Sequence, residues 1–211
     1  MTCRFFAILL TALALPFSGV QALNWDESID GDLSNDGDYP TLVVLTEGHN
    51  LFEGTMGRLN GVGPLDADVW TFTIAAGYYL TGINLLAYQG PVLGPEVPPM
   101  MSFMALAPGD SISMYDTMGH LSNELWTEEL DGFGNTYTDL LAILDAGPYY
   151  GGIGFDGPLG PGVYTFWIQE GEAQIGYTID MVVTAVPEPG SMGLVGLAGL
   201  ALLRRRRPGQ R

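Results

Sequence analysis

Short stretches of alternating apolar and polar residues are the clearest pattern in the chain. In the stretch 69–74, Trp70, Phe72 and Ile74 share one face, while Thr71 and Thr73 point away. A period of two is typical of strands with one buried face. The stretch 175–185 shows the same pattern, and the stretch 163–169 alternates less cleanly but is equally rich in aromatic and β-branched residues. These three stretches are therefore predicted strands of a folded domain.

Further apolar stretches lie between turns rich in Gly and Pro, which supply the backbone angles that turns need. They predict strands at 41–45, 51–56, 80–88, 102–106 and 111–115. Residues 139–144 fit either a strand or a single helical turn. Eight short strands with turns between them favour an all-β fold, namely an antiparallel β-sandwich with a jelly-roll-like arrangement.

The first 22 residues have the features of a secretory signal peptide. Arg4 provides a basic start, residues 5–17 an apolar run, and Val20 and Ala22 the small residues of a cleavage site. Cleavage after Ala22 removes Cys3, so the mature chain lacks cysteine, which excludes disulfides and thiol catalysis. The predicted organisation is a signal peptide (1–22), an acidic domain (23–185) and a C-terminal tail (186–211).

The tail consists of three parts in a fixed order. It begins with a rigid turn formed by Val186, Pro187, Glu188 and Pro189. Residues 190–203 then carry no charge and predict a single short transmembrane helix. A basic stop follows, formed by Arg204, Arg205, Arg206 and Arg207. Such clusters stay on the cytoplasmic side of a membrane. The alternative is a C-terminal core helix that ends in a basic tail.

This three-part tail resembles the PEP-CTERM sorting signal of Gram-negative bacteria that produce exopolysaccharide. The resemblance implies that an exosortase is a partner and processes the chain near Pro187, Glu188 and Pro189. It also implies export, a transient anchor in the inner membrane through residues 190–203, and release to the cell surface or extracellular matrix.

A second resemblance concerns the middle of the chain. Asp30 to Asp36, the pair Asp66 and Asp68 before the strand 69–74, and the opening of the strand 163–169 are similar to bacterial pre-peptidase C-terminal-like β-sandwich modules. This resemblance implies a non-catalytic accessory domain on secreted proteins.

The charge of the predicted domain limits its partners. Residues 23–185 contain 23 acidic residues against Arg58 alone, and the chain has no lysine. The formal charge of −22 repels nucleic acid and anionic lipid, so neither is an expected partner. Abundant aromatic residues and clear strand patterns argue against disorder.

Acidic residues crowd the start of the domain and suggest a calcium site. The candidate ligands are Asp30, Asp32, Asp36, Asp38, Asp66 and Asp68. Calcium binds six to eight oxygen atoms, and Gly31 and Gly37 permit a tight loop. The loop is no EF-hand, because Val43 stands where that motif needs glutamate. A solvated loop held by Asx-turns is the alternative.

Aromatic residues near Gly-rich loops suggest a carbohydrate-binding surface, with Trp126 and Tyr150 as the candidates. Tyrosines in such loops also tuck back onto their own sandwich, so both interpretations stay open.

Catalysis has little support in the sequence. His49 and His120 are the only histidines, and no catalytic motif surrounds them. We therefore expect a non-enzymatic, structural or adhesive component of the extracellular polysaccharide matrix. A carbohydrate-binding module and a secreted hydrolase are the alternatives.

Overall fold

The computed structural model describes residues 22–58, 63–90, 102–114, 120–126, 139–145, 152–171 and 173–186. They form nine strands and two short helices. The strands are β1 (Asn24–Asp26), β2 (Thr41–Leu42), β3 (Gly48–Met56), β4 (Ala67–Ile74), β5 (Tyr78–Gln89), β6 (Ser102–Pro108), β7 (Ser122–Trp126), β8 (Gly162–Glu170) and β9 (Ile175–Ala185). The helices are α1 (Glu27–Asp30) and α2 (Leu140–Asp145).

The strands form two sheets that pack as a β-sandwich. The first sheet has the order β1-β3-β9-β5, and the second has the order β2-β4-β8-β6-β7. Most neighbours are antiparallel, but the edge strands β1 and β2 run parallel to β3 and β4. Both sheets are therefore mixed, which corrects the expectation of a wholly antiparallel sandwich. A short N-terminal segment that docks along each sheet edge causes the difference.

Alternation along the strands places the core between the two sheets. Phe52 of β3 stacks on Trp70 of β4, with ring centroids 4.9 Å apart, and Phe166 of β8 meets the same indole edge-on at 5.0 Å. All three side chains are fully buried. Aromatic pairs across two facing sheets bury large apolar areas, and they fix how the sheets pack against each other.

The predicted strands are largely present, with changes at their ends. The last strand matches its predicted bounds, the stretch 69–74 gains two residues at its start, and the stretch 163–169 gains one residue at each end. The expected strand at 111–115 is wrong, because residues 111–113 have no regular structure. Strand β7 takes the edge beside β6 instead. The ambiguous stretch 139–144 contains helix α2, whose buried leucines face the core.

The described residues begin at residue 22, beside the predicted cleavage site, and end at Val186, at the start of the tail. The Leu51 amide donates a hydrogen bond to the Leu23 carbonyl, and the Val186 amide donates one to the Gly77 carbonyl. Within the described ranges, no helix is long and apolar enough to cross a membrane. The predicted transmembrane helix at 190–203 lies outside those ranges, as does most of the signal peptide.

Candidate functional site

Three acidic side chains from separate segments converge at one end of the sandwich. Glu27 is the first residue of α1, Asp32 follows that helix, and Asp68 lies in β4. One carboxylate oxygen from each comes within 4.8 Å of the others. We call Glu27, Asp32 and Asp68 the acidic cluster. Glu27 and Asp32 line a cleft of about 610 Å³, together with Asp66 and residues of β3, β5 and β9.

Local structure holds Glu27 in place. Asp26 is the N-cap of α1, and its carboxylate accepts a hydrogen bond of 2.9 Å from the Ser28 amide. The Glu27 carboxylate accepts bonds from the Thr55 amide at 2.8 Å and the Leu33 amide at 3.3 Å. A glutamate on a four-residue helix thus connects that helix to strand β3.

Asp68 occupies a core position. In β4 its side chain follows the inward alternation of Trp70, Phe72 and Ile74, and it is fully buried. Neither of its oxygens makes a hydrogen bond of normal geometry to any residue that the structure describes, and the same holds for the buried Tyr177 hydroxyl. A buried carboxylate without a partner is unusual, because losing water without compensation is costly.

Gly54 creates the space in which these groups meet. It faces inward on β3, opposite Tyr177 of β9. A Cβ atom at this position would lie 2.5 Å from the Glu27 carboxyl carbon and 2.7 Å from the Tyr177 hydroxyl. Any larger residue would therefore displace one of these two side chains.

The surroundings favour the protonated form of the buried acids. Burial raises the pKa of Asp68 well above its usual range, and repulsion from Glu27, Asp66 and Asp32 adds to the rise, while the nearby Tyr177 hydroxyl partly opposes it. Burial likewise raises the pKa of Glu27, where the two backbone hydrogen bonds oppose the rise.

The pKa values of two neighbouring groups are shifted by the same charges. Burial and then repulsion from Asp32 raise the pKa of Asp66. Burial raises the pKa of the Tyr177 hydroxyl, and the negative charges of Asp68 and Glu27 raise it further. Removing a proton anywhere in this group therefore adds charge to a region that is already negative.

Positive side chains do not balance this charge in the part of the chain that the structure describes. The ion pair there joins His49 to Asp180 at 2.7 Å, and neither residue lines the cleft. The Arg58 guanidinium donates instead to the backbone carbonyls of Gly171 and Gly63. The acidic cluster thus has no cationic protein partner among these residues.

The other candidate calcium ligands lie elsewhere. Asp30 accepts a hydrogen bond of 2.9 Å from the Asp26 amide, and Asp36 accepts one of 2.9 Å from the Asp38 amide. The bond between Asp36 and Asp38 is the local turn that the alternative interpretation predicts. Apart from the acidic cluster, no set of three potential metal-binding side chains in the described ranges brings its ligand atoms together.

Sequence reasoning did not identify Glu27 as a member of the site. Nothing in its local pattern distinguishes it, because its role depends on Thr55, 28 residues away. Asp68 did carry a signal, since it stands in phase with the core residues Trp70, Phe72 and Ile74. An acid at a core position of a strand indicates a functional or paired group.

The remaining candidate residues have the following positions. Trp126 is the last residue of edge strand β7, and Tyr150 lies outside the described residues. His120 is buried, and one ring nitrogen lies 2.9 Å from the Ser113 carbonyl oxygen. His49 is exposed and pairs with Asp180.

The comparison with protein families matches residues 185–207 to the PEP-CTERM protein-sorting motif. This result confirms the expected sorting signal at the C-terminus, and it implies export, processing by an exosortase and sorting to the cell surface. No curated protein and no solved structure matches the chain. The predicted processing residues Pro187, Glu188 and Pro189, and the basic stop 204–207, lie outside the described residues.

Proposed function

We propose that this protein is a non-catalytic, structural or adhesive component of an extracellular polysaccharide matrix, delivered by exosortase sorting. One observation carries the proposal: the sorting motif begins at residue 185, where the last strand of the sandwich ends. The sorting signal therefore overlaps the folded domain only at Ala185, the last residue of β9.

This boundary allows processing without damage to the domain. Strand β9 lies between β3 and β5 and contributes the inward-facing residues Ile175, Tyr177 and Ile179 to the core. Cleavage near Pro187 to Pro189 leaves this strand complete. A domain that survives removal from its anchor can act outside the cell, as a matrix component must.

The order of strands supports a jelly-roll form for the domain. One sheet contains β3-β9-β5 and the other β4-β8-β6-β7, so successive strands alternate between the two sheets over most of the chain. Jelly rolls are common in binding and structural proteins. The fold itself does not decide function, and so the proposal depends on the sorting signal and on the acidic surface.

The geometry of β9 also suggests how the anchored protein is oriented. The residues 176–178 line the acidic cleft, whereas Ala185 adjoins the tail. Eight residues of strand separate Tyr177 from Ala185, which corresponds to roughly 26 Å. In this proposal the cleft faces away from the inner membrane of the Gram-negative cell while the helix 190–203 holds the chain there.

Replacement of Pro187 and Pro189 together by alanine tests the delivery step. The double variant should keep its folded domain and accumulate at full length in the membrane fraction, whereas the normal chain reaches the surface in processed form. Intact-mass spectrometry of both proteins reports their termini and any attached group. Identical processing of the two chains would contradict the role of the motif.

The matrix role needs a separate test. Deletion of the protein should weaken cohesion of the extracellular matrix, and the processed protein should be retained on exopolysaccharide purified from the same cells. Normal matrix cohesion without the protein, together with no retention, would contradict the proposal. Turnover of glycans or peptides by the purified protein would contradict the non-catalytic assignment.

A further inference from the structure

We infer that Glu27, Asp32 and Asp68 bind a calcium ion, which fastens the N-terminal segment 26–33 to the sandwich. Asp66, which lines the same cleft, adds negative charge beside the ion. This inference concerns the fold of the delivered domain and does not depend on the matrix role.

The spacing of the three carboxylates fits one ion. Calcium binds oxygen at about 2.4 Å, so two oxygens on the same ion lie no more than about 4.8 Å apart. One carboxylate oxygen from each residue of the acidic cluster satisfies that limit with respect to the other two. They need no rearrangement of the backbone to share an ion.

Asp68 provides a second and independent observation. Exposed acids often cluster without binding anything, but Asp68 is fully buried and neither oxygen has a hydrogen-bond partner in the described part of the chain. One of its carboxylate oxygens lies within 4.8 Å of an oxygen of Glu27 and of an oxygen of Asp32. A bound cation would satisfy the unpartnered oxygens and offset the negative charge.

The chemistry of the ligands favours calcium over other metals. The cluster offers carboxylate oxygens, without the imidazole or thiolate ligands that favour zinc and copper. Magnesium requires a small, nearly octahedral site, whereas calcium accepts an irregular set of six to eight oxygens. The adjoining cleft of about 610 Å³ has room for the water molecules that complete this number.

An ion at this position would join the two sheets. Glu27 lies beside β1 and β3 of the first sheet, whereas Asp68 belongs to β4 of the second. Asp32 lies in the connection that leads to β2. The segment between β1 and β2 already contacts both sheets, since the Thr55 amide of β3 donates to Glu27 and the Val69 amide of β4 donates to the Ser34 carbonyl. A bound ion would add a further link between the same two sheets.

Terbium luminescence and thermal unfolding test the inference on the purified full-length chain. Terbium replaces calcium at oxygen sites, and Tyr177, whose hydroxyl lies beside Gly54 as the Glu27 carboxylate does, is placed to transfer excitation energy to it. Luminescence should appear on adding terbium and should fall when calcium is added. Extracellular calcium modules bind at about 0.1–1 mM, so the titration covers that range.

Calcium should also raise the melting temperature of the chain freed of divalent ions. At about one hundred times the dissociation constant, we expect an increase of about 5–10 °C for a domain of this size. Magnesium at the same concentration should have a much smaller effect.

Two variants and two controls distinguish calcium binding at the acidic cluster from attraction of calcium to the overall negative charge. Asp32→Asn and Asp68→Asn each remove one ligand charge and should weaken calcium binding by about tenfold or more. Asp38→Asn and Asp110→Asn remove exposed charges outside the cluster and should retain the response. Asp32 is exposed and accepts no hydrogen bond from the described residues, so Asp32→Asn is expected to fold normally.

The outcomes decide the matter in either direction. The site would be supported if Asp32→Asn lost both the terbium luminescence and the calcium-induced rise in melting temperature while Asp38→Asn kept both. Absence of luminescence and of a thermal shift in the unmodified chain would overturn it. An equal response in all four variants would also overturn it, because binding would then reflect only the overall charge.

Discussion

The carboxylate of Glu27 lies directly against the α-carbon of Gly54. A Cβ atom on Gly54 would be 2.5 Å from the Glu27 carboxyl carbon, which is closer than nonbonded atoms approach. Glu27 also accepts hydrogen bonds from the amides of Thr55 and Leu33. The absence of a side chain at position 54 thus lets one glutamate join helix α1, the following loop and strand β3.

We expect Gly54→Ala to destabilise the protein by about 1–3 kcal/mol, because overpacking forces Glu27 out of its two hydrogen bonds. Urea unfolding of the ion-free chain measures the loss. Gly171→Ala is the matched control, since a Cβ there meets no atom within 4 Å. If the Gly54 variant and the unmodified chain had the same free energy of unfolding, Glu27 could move away from position 54 without destabilising the protein.

The Asp26 cap supports the same region. Because its carboxylate accepts the Ser28 amide, Asp26→Ala should cost about 0.5–2 kcal/mol and loosen the position of Glu27. Asp26→Asn keeps a good capping group while removing the charge, so it should stay within about 0.5 kcal/mol of the unmodified chain. Urea unfolding distinguishes the two variants, and an equal loss in both would assign the effect to charge instead of capping.

The stability of the ion-free chain should fall as the pH rises from 5 to 7. The native pKa values of Glu27, Asp66 and Asp68 lie above their unfolded values, so the native state binds more protons in this range. Asp32 and the Tyr177 hydroxyl face the same group, and Asp32 adds repulsion. We therefore expect the free energy of unfolding to decrease across this range.

Urea unfolding at pH 5, 6 and 7, after removal of divalent ions on a chelating resin, measures this slope. Asp68→Asn removes the most strongly shifted acid, and it should therefore flatten the dependence and raise stability at pH 7. Calcium should act in the opposite direction, since protons compete for its ligands, and its stabilising effect should be larger at pH 7 than at pH 5. A free energy that increases with pH in the ion-free chain would contradict the assignment.

The sequence predicted the sandwich better than it predicted its edges. The stretch 175–185 alternates over its whole length, and β9 has those bounds, because the central strand is buried on its inner face throughout. Strands β1 and β2 are only three and two residues long, too short to display a period. They form by pairing with β3 and β4, which is a tertiary contact that local patterns do not record.

The sequence placed part of the acidic cluster correctly, whereas the prediction that calcium binds there stays a prediction. The acid-rich loops led to the prediction of a hard cation, and two of the predicted ligands, Asp32 and Asp66, do line one cleft. Asp36 and Asp38 form a local turn instead, and Glu27 was identified as a member of the acidic cluster only from the three-dimensional structure. Side chains that meet across a sandwich come from distant positions, so spacing along the chain reveals only part of such a site.

The orientation of the cleft relative to the membrane yields a final prediction. Thr55 lies in β3 near the acidic cleft, while Glu47 directly precedes the other end of that strand, next to the residues of β9 that lead into the tail. About eight residues of strand separate them, or roughly 26 Å. In the anchored full-length chain, Thr55 should therefore be the more distant of the two from the bilayer.

Single cysteines permit this measurement, because the only native cysteine, Cys3, lies in the predicted signal peptide. A donor dye on Thr55→Cys should transfer less energy to an acceptor in the lipid than the same dye on Glu47→Cys. Both positions are exposed, so labelling should leave the core intact. After release from the membrane the difference should vanish. Stronger transfer from position 55 would mean that the cleft faces the membrane, which would place any calcium bound there beside the lipid surface instead of the outside matrix.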